Sequence, residues 1–454
     1  MAPAVPAPPA AQAARRAAAG DATGGAAGSA ALPRAPVDLG PTRYPSDRAL
    51  SPITPHVADA LVSIAAKDAS RLDDVFVKVG ASGTVNPAFL YCFAGPSQPG
   101  YTLDLDAYGA LMPSIVRFRG GPTPDGSTPF DRQTLAAKVG MSASWAISGS
   151  PSPLDQEISA LNPRFAFVNY GTNDMQQGIS YESALWPFAE NLSKLLDQLE
   201  SGGIVPIISG LNPRGDSASA ALWVPTYDAV TRGIAEARQL PYLSLYLSAK
   251  DLPDQGLVSD GIHGNAYVTN GKSQPCVFTG AGLDYNYNRR NLASMQLLDV
   301  LSRVVVDGEN APDVAPPGYE GDGSIASPIV IDQLPFTHAA STAGAESTLD
   351  AYSGCTATQD ESGPEVVYSL TLSKTTALRA MVFDRDGVDV DLHLTGAPAS
   401  GGGCIARHDR QISRTLAAGT YSFVVDSFVS GGVAQAGAYL FVVVECAAGD
   451  PDCG

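Results

Sequence analysis

The sequence predicts an α/β domain, built on a parallel sheet covered by helices, followed by an all-β sandwich. Three observations carry this. Between residues 57 and 306, strand-like and helix-like apolar patterns alternate, as they do where parallel strands are joined by helical crossovers. Beyond residue 330 only strand-like runs recur. Residues 307–330 hold Pro312, Pro316, Pro317 and several glycines with no periodic hydrophobic stretch, which reads as a linker. At 454 residues the chain exceeds what one core usually fills, so two domains are the natural division.

Taken in order, residues 1–55 are almost entirely Ala, Pro, Gly and small polar residues. Such a composition buries too little apolar area to offset chain entropy, so a disordered tether is expected. It contains no apolar signal-peptide core, although tethers of this kind often follow a signal or a lipid anchor. Residues 56–306 form the first domain. Residues 74–79 alternate and are β-branched, and Gly80 ends that strand; residues 165–170 are a second apolar run. Residues 192–199 have helical spacing and lead through Gly202 and Gly203 into a short buried strand at 204–208. A helix at 227–239 and a strand at 242–247 repeat the theme, and an amphipathic helix at 288–306 closes the domain. Residues 331–454 form the sandwich, with strands expected at 366–372, 377–383, 388–394 and 439–444. Alternation in the third of these puts Val388, Val390, Leu392 and Leu394 on one face and Asp389, Asp391 and His393 on the other.

A serine hydroxyl attacks a carbonyl only when an imidazole takes its proton as the bond forms. Before residue 307 there are two histidines, His56 and His263. His56 follows Pro55 with no strand or helix signal ahead of it, so His263 is the base. Asp260, three residues upstream, can reach the ring nitrogen that faces away from the serine. Ser82 is the candidate nucleophile because it follows the Gly80 turn at the end of a strand. Asn173 follows the second strand, which places its amide at the carboxyl edge of a parallel sheet as an oxyanion donor. Gly140 is the candidate further backbone donor, with Gly120 and Gly121 competing for that role. Asp174 reads as a loop or helix-capping carboxylate and stays outside the triad.

These residues resemble the SGNH, or GDSL-type, hydrolases, named for serine, glycine, asparagine and histidine in four blocks. Ser82 matches the first, Gly140 the second, Gly171-Thr172-Asn173-Asp174 the third and Asp260-Gly261-Ile262-His263 the last. The resemblance implies a three-layer α/β/α, flavodoxin-like fold and ester hydrolysis without a metal or other cofactor. It also implies an oxyanion hole from the Ser82 and Gly140 backbone amides and the Asn173 side chain. One departure is Ala81, where the family usually has Asp, so the contacts that brace the nucleophile loop elsewhere must be absent or replaced. In the sandwich, the 387–394 alternation and Gly419-Thr420-Tyr421-Ser422-Phe423-Val424-Val425 resemble the bacterial pre-peptidase C-terminal domain, a small accessory sandwich on secreted enzymes.

The formal net charge of −18 argues against nucleic acid as a partner, since phosphates would be repelled. No apolar stretch is long enough to span a bilayer. Six cysteines divide as Cys92 and Cys276 in the first domain and Cys355, Cys404, Cys446 and Cys453 in the second. Without Cys-x-x-Cys spacing, disulfides in an oxidising compartment are expected. Domain parity pairs Cys92 with Cys276. The other four allow three pairings, of which Cys355 with Cys404 and Cys446 with Cys453 is favoured. Asp384, Asp386, Asp389 and Asp391 raise calcium binding, but their spacing is not that of an EF-hand, and a solvated acidic strand edge is the expectation.

The reading is an exported bacterial serine esterase, secreted, periplasmic or on the cell surface, cleaving acyl or acetyl esters of a small molecule or polysaccharide. Tyr170, Trp145, Tyr267, Tyr285 and Tyr287 are candidates to line a sugar cleft. The alternatives are a lipase or lysophospholipase of the same family and, in another class, a non-catalytic binding or adhesion protein on a hydrolase fold.

Overall fold

The computed structural model describes residues 40–355 and 359–453. Four parallel strands form the central sheet in the order β1 (Leu72–Gly80), β2 (Pro163–Asn169), β3 (Val205–Ser209) and β4 (Tyr242–Leu243). Every residue of β3 is buried, as are the first six of β2, which requires cover on both faces of the sheet. That cover comes from α1 (Pro55–Ala65), α2 (Pro153–Leu161), α3 (Tyr181–Ser201), α4 (Ala218–Ala237) and α5 (Asn286–Leu301). On the outer side of β1, Gly80 makes a parallel bridge to Ala137, with Gly80 N–H donating to the Ala136 carbonyl and Lys138 N–H to that of Gly80. A flavodoxin-like sheet has a strand at this position; here it is reduced to one bridge.

Local signals account for the helix boundaries. Thr54 caps α1 by accepting from Val57 N–H, with Pro55 in the first turn. Ser152 and Asp155 form a reciprocal capping box at α2, as Ser180 and Ser183 do at α3. The strand expected at 242–247 stops at Leu243, because the Ser244 hydroxyl accepts from Leu247 N–H and starts a helical turn. Of the stretch read as a tether, residues 1–39 lie outside the described residues. The remainder is packed: Tyr44 is buried and donates to the Leu240 carbonyl, and Leu50 bridges Leu243 at the far sheet edge.

The C-terminal part is a sandwich of two sheets. One has the order β6 (Phe336–Ser341), β13 (Ala438–Glu445), β8 (Thr376–Asp384), β11 (Gln411–Leu416) and is antiparallel throughout. The other runs β10 (Cys404–His408), β9 (Val390–Gly396), β12 (Gly419–Ser427), β7 (Glu365–Leu372), β5 (Ile329–Ile331), with only the β7 and β5 pair parallel. Val390, Leu392 and Leu394 point into the sandwich core as their alternation predicts. The acidic face of β9 departs from expectation: Asp391 and His393 are 1% and 0% exposed. β9 is an interior strand, and the segment carrying Leu349 and Tyr352 lies over that face, with Tyr352 stacked on His393 at 3.7 Å.

The first sandwich sheet packs on α4, and the hydrolase core continues into it through Met381, Leu440, Val442 and Val444. Trp186 of α3 stacks on Phe383, and the buried Arg379 guanidinium lies 3.5 Å from the Trp223 ring while pairing with Asp450. The three expected cysteine pairs, Cys92–Cys276, Cys355–Cys404 and Cys446–Cys453, are all disulfides.

One buried charge in β1 yields a stability prediction. Lys78 is 2% exposed, donates to the Phe130 carbonyl at 2.7 Å and sits over the Tyr91 ring; burial lowers its pKa to about 7. The unfolded chain holds that proton up to about 10.4. Stability contributed by the neutral amine therefore grows as pH rises from 7 and is lost below it, where the folded protein carries a buried cation. Lys78→Met should raise Tm in thermal unfolding, by more at about pH 6 than at about pH 9.

Candidate active site

β1 ends at Gly80, where a Cβ would lie 2.2 Å from Thr84 Oγ1 and 2.8 Å from the Asn169 carbonyl, so only glycine lets the chain turn this tightly. Ser82 then opens a short helical turn, Ser82–Val85. β2 ends at Asn169 and leads into the Gly171-Thr172-Asn173-Asp174 loop; the Asp260–His263 loop lies between β4 and α5. All three islands thus meet at the carboxyl ends of parallel strands.

Ser82 Oγ lies 2.7 Å from His263 Nε2, and His263 Nδ1 lies 2.7 Å from Asp260 Oδ2. The other Asp260 oxygen accepts from the backbone N–H groups of Ile262 and His263 at 2.8 and 2.9 Å. Desolvation, the largest single influence, pushes the Asp260 pKa up, but the hydrogen bonds from the His263 backbone and ring and from Ile262 together outweigh it and hold it down at about 2. The loop's shape depends on Gly261, at φ +69°, where a Cβ would sit 2.5 Å from Asp216 N. Its carbonyl accepts from Gly215 N–H at 2.7 Å, and Gly215 lies between the ion-paired Arg214 and Asp216.

Asn173 lines the same cleft, with one amide hydrogen donated to the Met141 carbonyl at 3.0 Å; a side-chain amide has a second. Asp174, 3% exposed, accepts from Ala143 N–H at 2.8 Å and Gly171 N–H at 2.9 Å and so fastens this loop to the segment carrying Met141. Burial raises its pKa to about 6, with those two amides acting in the opposite direction. The structure does not bring Gly140 to the cleft lining; Met141 stands there, one residue past the φ +79° turn at Gly140. His56 is on α1, away from this constellation. Of the aromatic residues expected at a sugar cleft, Tyr170 lines it. Tyr287 is 2% exposed, while Tyr267 and Tyr285 pair edge to face at half-buried positions.

The contacts that brace the loop in place of an acid at Ala81 come from α5. The carbonyl of Gly83 accepts from Arg290 Nη1 at 3.1 Å and from the Tyr287 hydroxyl at 3.3 Å. Arg290 Nη2 donates to Asn169 Oδ1, whose amide nitrogen donates to the Gly210 carbonyl at the end of β3. Arg290 is 1% exposed, its guanidinium packs over the Phe89 ring, and burial lowers its pKa to about 10. Asn169 and Arg290 carry no local signal in the sequence, because each acts across strand ends far apart in the chain. Arg290→Leu should lower kcat about 100-fold with KM little changed, since misplacing a reacting group by about 1 Å costs that much. Steady-state kinetics on a nitrophenyl ester, with circular dichroism to establish folding, checks it.

Residues 114–267, about a third of the chain, match the GDSL-like Lipase/Acylhydrolase family. This chain carries a GDSL-like ester hydrolase domain. The matched span of the esterase holds Gly140, Asn173, Asp260 and His263, while Ser82 precedes it. No curated protein matches the esterase sequence. Among solved structures, it is similar to a GDSL-like lipase from Bacteroides thetaiotaomicron, at 13% identity over 54% of this chain and 98% of that one, TM-score 0.28. A two-domain esterase active on acetylated mannans is similar at 10% identity over 89% of this chain and 98% of that one, TM-score 0.30. The pre-peptidase C-terminal domain of a collagenase from Bacillus anthracis is similar at 14% identity over 24% of this chain and 89% of that one, TM-score 0.17. Likeness at this level assigns no substrate to the esterase. Among the described residues, no helix is long and apolar enough to cross a membrane.

Proposed function

We propose that the protein is a serine esterase that removes short acyl groups, acetyl foremost, from carbohydrate esters outside the cytoplasm. The observation that carries the chemistry is the unbroken line from Ser82 through His263 to Asp260, with both spacings at 2.7 Å. His263 Nε2 takes the Ser82 proton as Oγ attacks the acyl carbon, and Asp260 holds the ring and stabilises the imidazolium. The tetrahedral oxyanion accepts from the Asn173 amide and the Ser82 backbone N–H. Its collapse breaks the bond to the alcohol oxygen, which leaves with the proton from His263. Water, deprotonated by the same ring, then attacks the acyl-serine, and the acid and free Ser82 are released.

The short acyl preference rests on space. The cavity beside Ser82, bounded by Met141, Tyr170, Asn173, Asn212 and Ile262, has a volume of about 20 Å³. Space for little more than one water directly beside Ser82 favours a small acyl group there over a bulky one. The half-buried rings of Tyr267, four residues past His263, and Tyr285, paired edge to face, are the aromatic surface assigned here to the sugar alcohol. Export is supported by the three disulfides. Across nitrophenyl esters of increasing chain length, kcat/KM should peak at acetate and fall steeply beyond butyrate. A maximum at octanoate or longer would refute the short acyl assignment, and release of acetate from simple alkyl acetates as fast as from acetylated oligosaccharides would refute the carbohydrate one.

A further inference from the structure

The outer face of β9 carries a polar cluster that the esterase chemistry does not use. Asp391 on β9 is the register partner of Asp426 on β12, and His393 is that of Arg407 on β10. Glu361, in the segment leading into β7, reaches the same spot: it is 1% exposed, and His393 and Asp426 are both 0% exposed. Paired carboxylates on adjacent strands repel, and burial makes this worse unless positive charge is brought in. Arg407 supplies one cation, bonding Asp391 Oδ2 at 2.6 Å and Glu361 Oε1 at 3.0 Å. Tyr352 donates to Asp426 Oδ2 at 2.6 Å.

Among the described residues, the buried polar atoms left here without a hydrogen-bond partner are Glu361 Oε2, Asp391 Oδ1, Asp426 Oδ1, Arg407 Nε and both ring nitrogens of His393. His393 Nε2 is 3.9 Å from Glu361 Oε2, too far for a hydrogen bond. One ligand atom from each of Glu361, His393 and Asp426 lies within 4.8 Å of the others. Zinc binds imidazole nitrogen and carboxylate oxygen at about 2.0–2.2 Å, so two ligands on one ion stand about 3–4 Å apart, a range that holds the 3.9 Å between His393 Nε2 and Glu361 Oε2.

We propose that Glu361, His393 and Asp426 bind a divalent transition-metal ion, zinc by ligand chemistry, that fastens the segment before β7 across the outer face of the sandwich sheet. The imidazole ligand favours zinc over calcium, which takes oxygen ligands. The site differs from an acidic strand edge at Asp384, Asp386 and Asp389, which lacks a buried nitrogen donor. Burial also raises the Asp426 carboxyl to about 9, a cost that a bound cation offsets.

The test uses the full chain, stripped with dipicolinate and titrated with zinc, calcium or cobalt(II). Expected are about one equivalent of zinc per chain by calorimetry and metal analysis, and a Tm raised by zinc but not by calcium. A cobalt spectrum of low-coordinate nitrogen and oxygen ligation is also expected. His393→Ala and Glu361→Gln should each lose that equivalent, while His263→Ala keeps it, which separates this site from the Asp260–His263 pair. Absence of zinc uptake by the wild-type chain, or uptake unchanged in both sandwich variants, would overturn the proposal; a Tm response to calcium alone would overturn the choice of metal. Should the variants fail to fold, the wild-type titration and cobalt spectrum decide the matter.

Discussion

Ser82→Ala should lower kcat on nitrophenyl acetate by about 10⁵–10⁶-fold with KM little changed, because it deletes the proposed nucleophile while leaving the cleft walls in place. The size of the effect follows from the geometry. With Oγ 2.7 Å from His263 Nε2, the hydroxyl is held where proton removal and attack occur together. The residual rate should be that of the oxyanion donors and binding alone. Equal rates for variant and wild type would discard the triad and leave the binding or adhesion reading standing.

Asp260→Asn should cost about 10⁴-fold in kcat, with the fold intact by circular dichroism. Asp260 Oδ2 accepts from Nδ1, which puts the proton there and leaves Nε2 able to take the one from Ser82. An asparagine offers an N–H or a weaker acceptor at that place, so the ring can settle in the opposite tautomer with Nε2 already protonated. The wild-type carboxylate, held at about 2, is ionised throughout the range in which an esterase is assayed. Because that pKa is lowered, the contribution of Asp260 is present above its unfolded value of about 3.9 and is lost only as pH falls towards 2. Titration of Asp260 should leave no inflection in kcat/KM above about pH 4. Such an inflection, or a loss under tenfold in the variant, would refute this role.

The juxtaposition of Ser82, His263 and Asp260 was legible because its parts carry local marks. Asp260 and His263 sit within one turn of chain, and Ser82 and Asn173 each follow an apolar run that a parallel sheet must end at its carboxyl edge. What supports that juxtaposition was not legible. Arg290 bonds Gly83 across 207 positions and Asn169 across 121, and such contacts leave no periodicity to read. Met141, not Gly140, lines the cleft, since a glycine at φ +79° marks where the chain turns rather than what it presents. In the sandwich, alternation assigned Asp391 and His393 to the face opposite Val390 and Leu392, yet a strand pattern cannot say what covers that face. The packing of Tyr44 was hidden for a related reason: an Ala/Pro-rich composition describes an average, and a few well-placed side chains are enough to fix its end.

The apolar seam formed by Met381, Leu440, Val442 and Val444 against α4 makes the sandwich a wall of the catalytic half rather than an appendage. Cutting the chain near residue 330 separates two architectures but bares one shared interior. Gly233 illustrates the constraint: a Cβ there would press on Leu440 at 2.9 Å, so even a methyl group at this point of α4 is a matter for both halves. The two halves are therefore expected to melt together, and a lineage carrying this enzyme cannot exchange its C-terminal half for an unrelated module without rebuilding the helix beneath it.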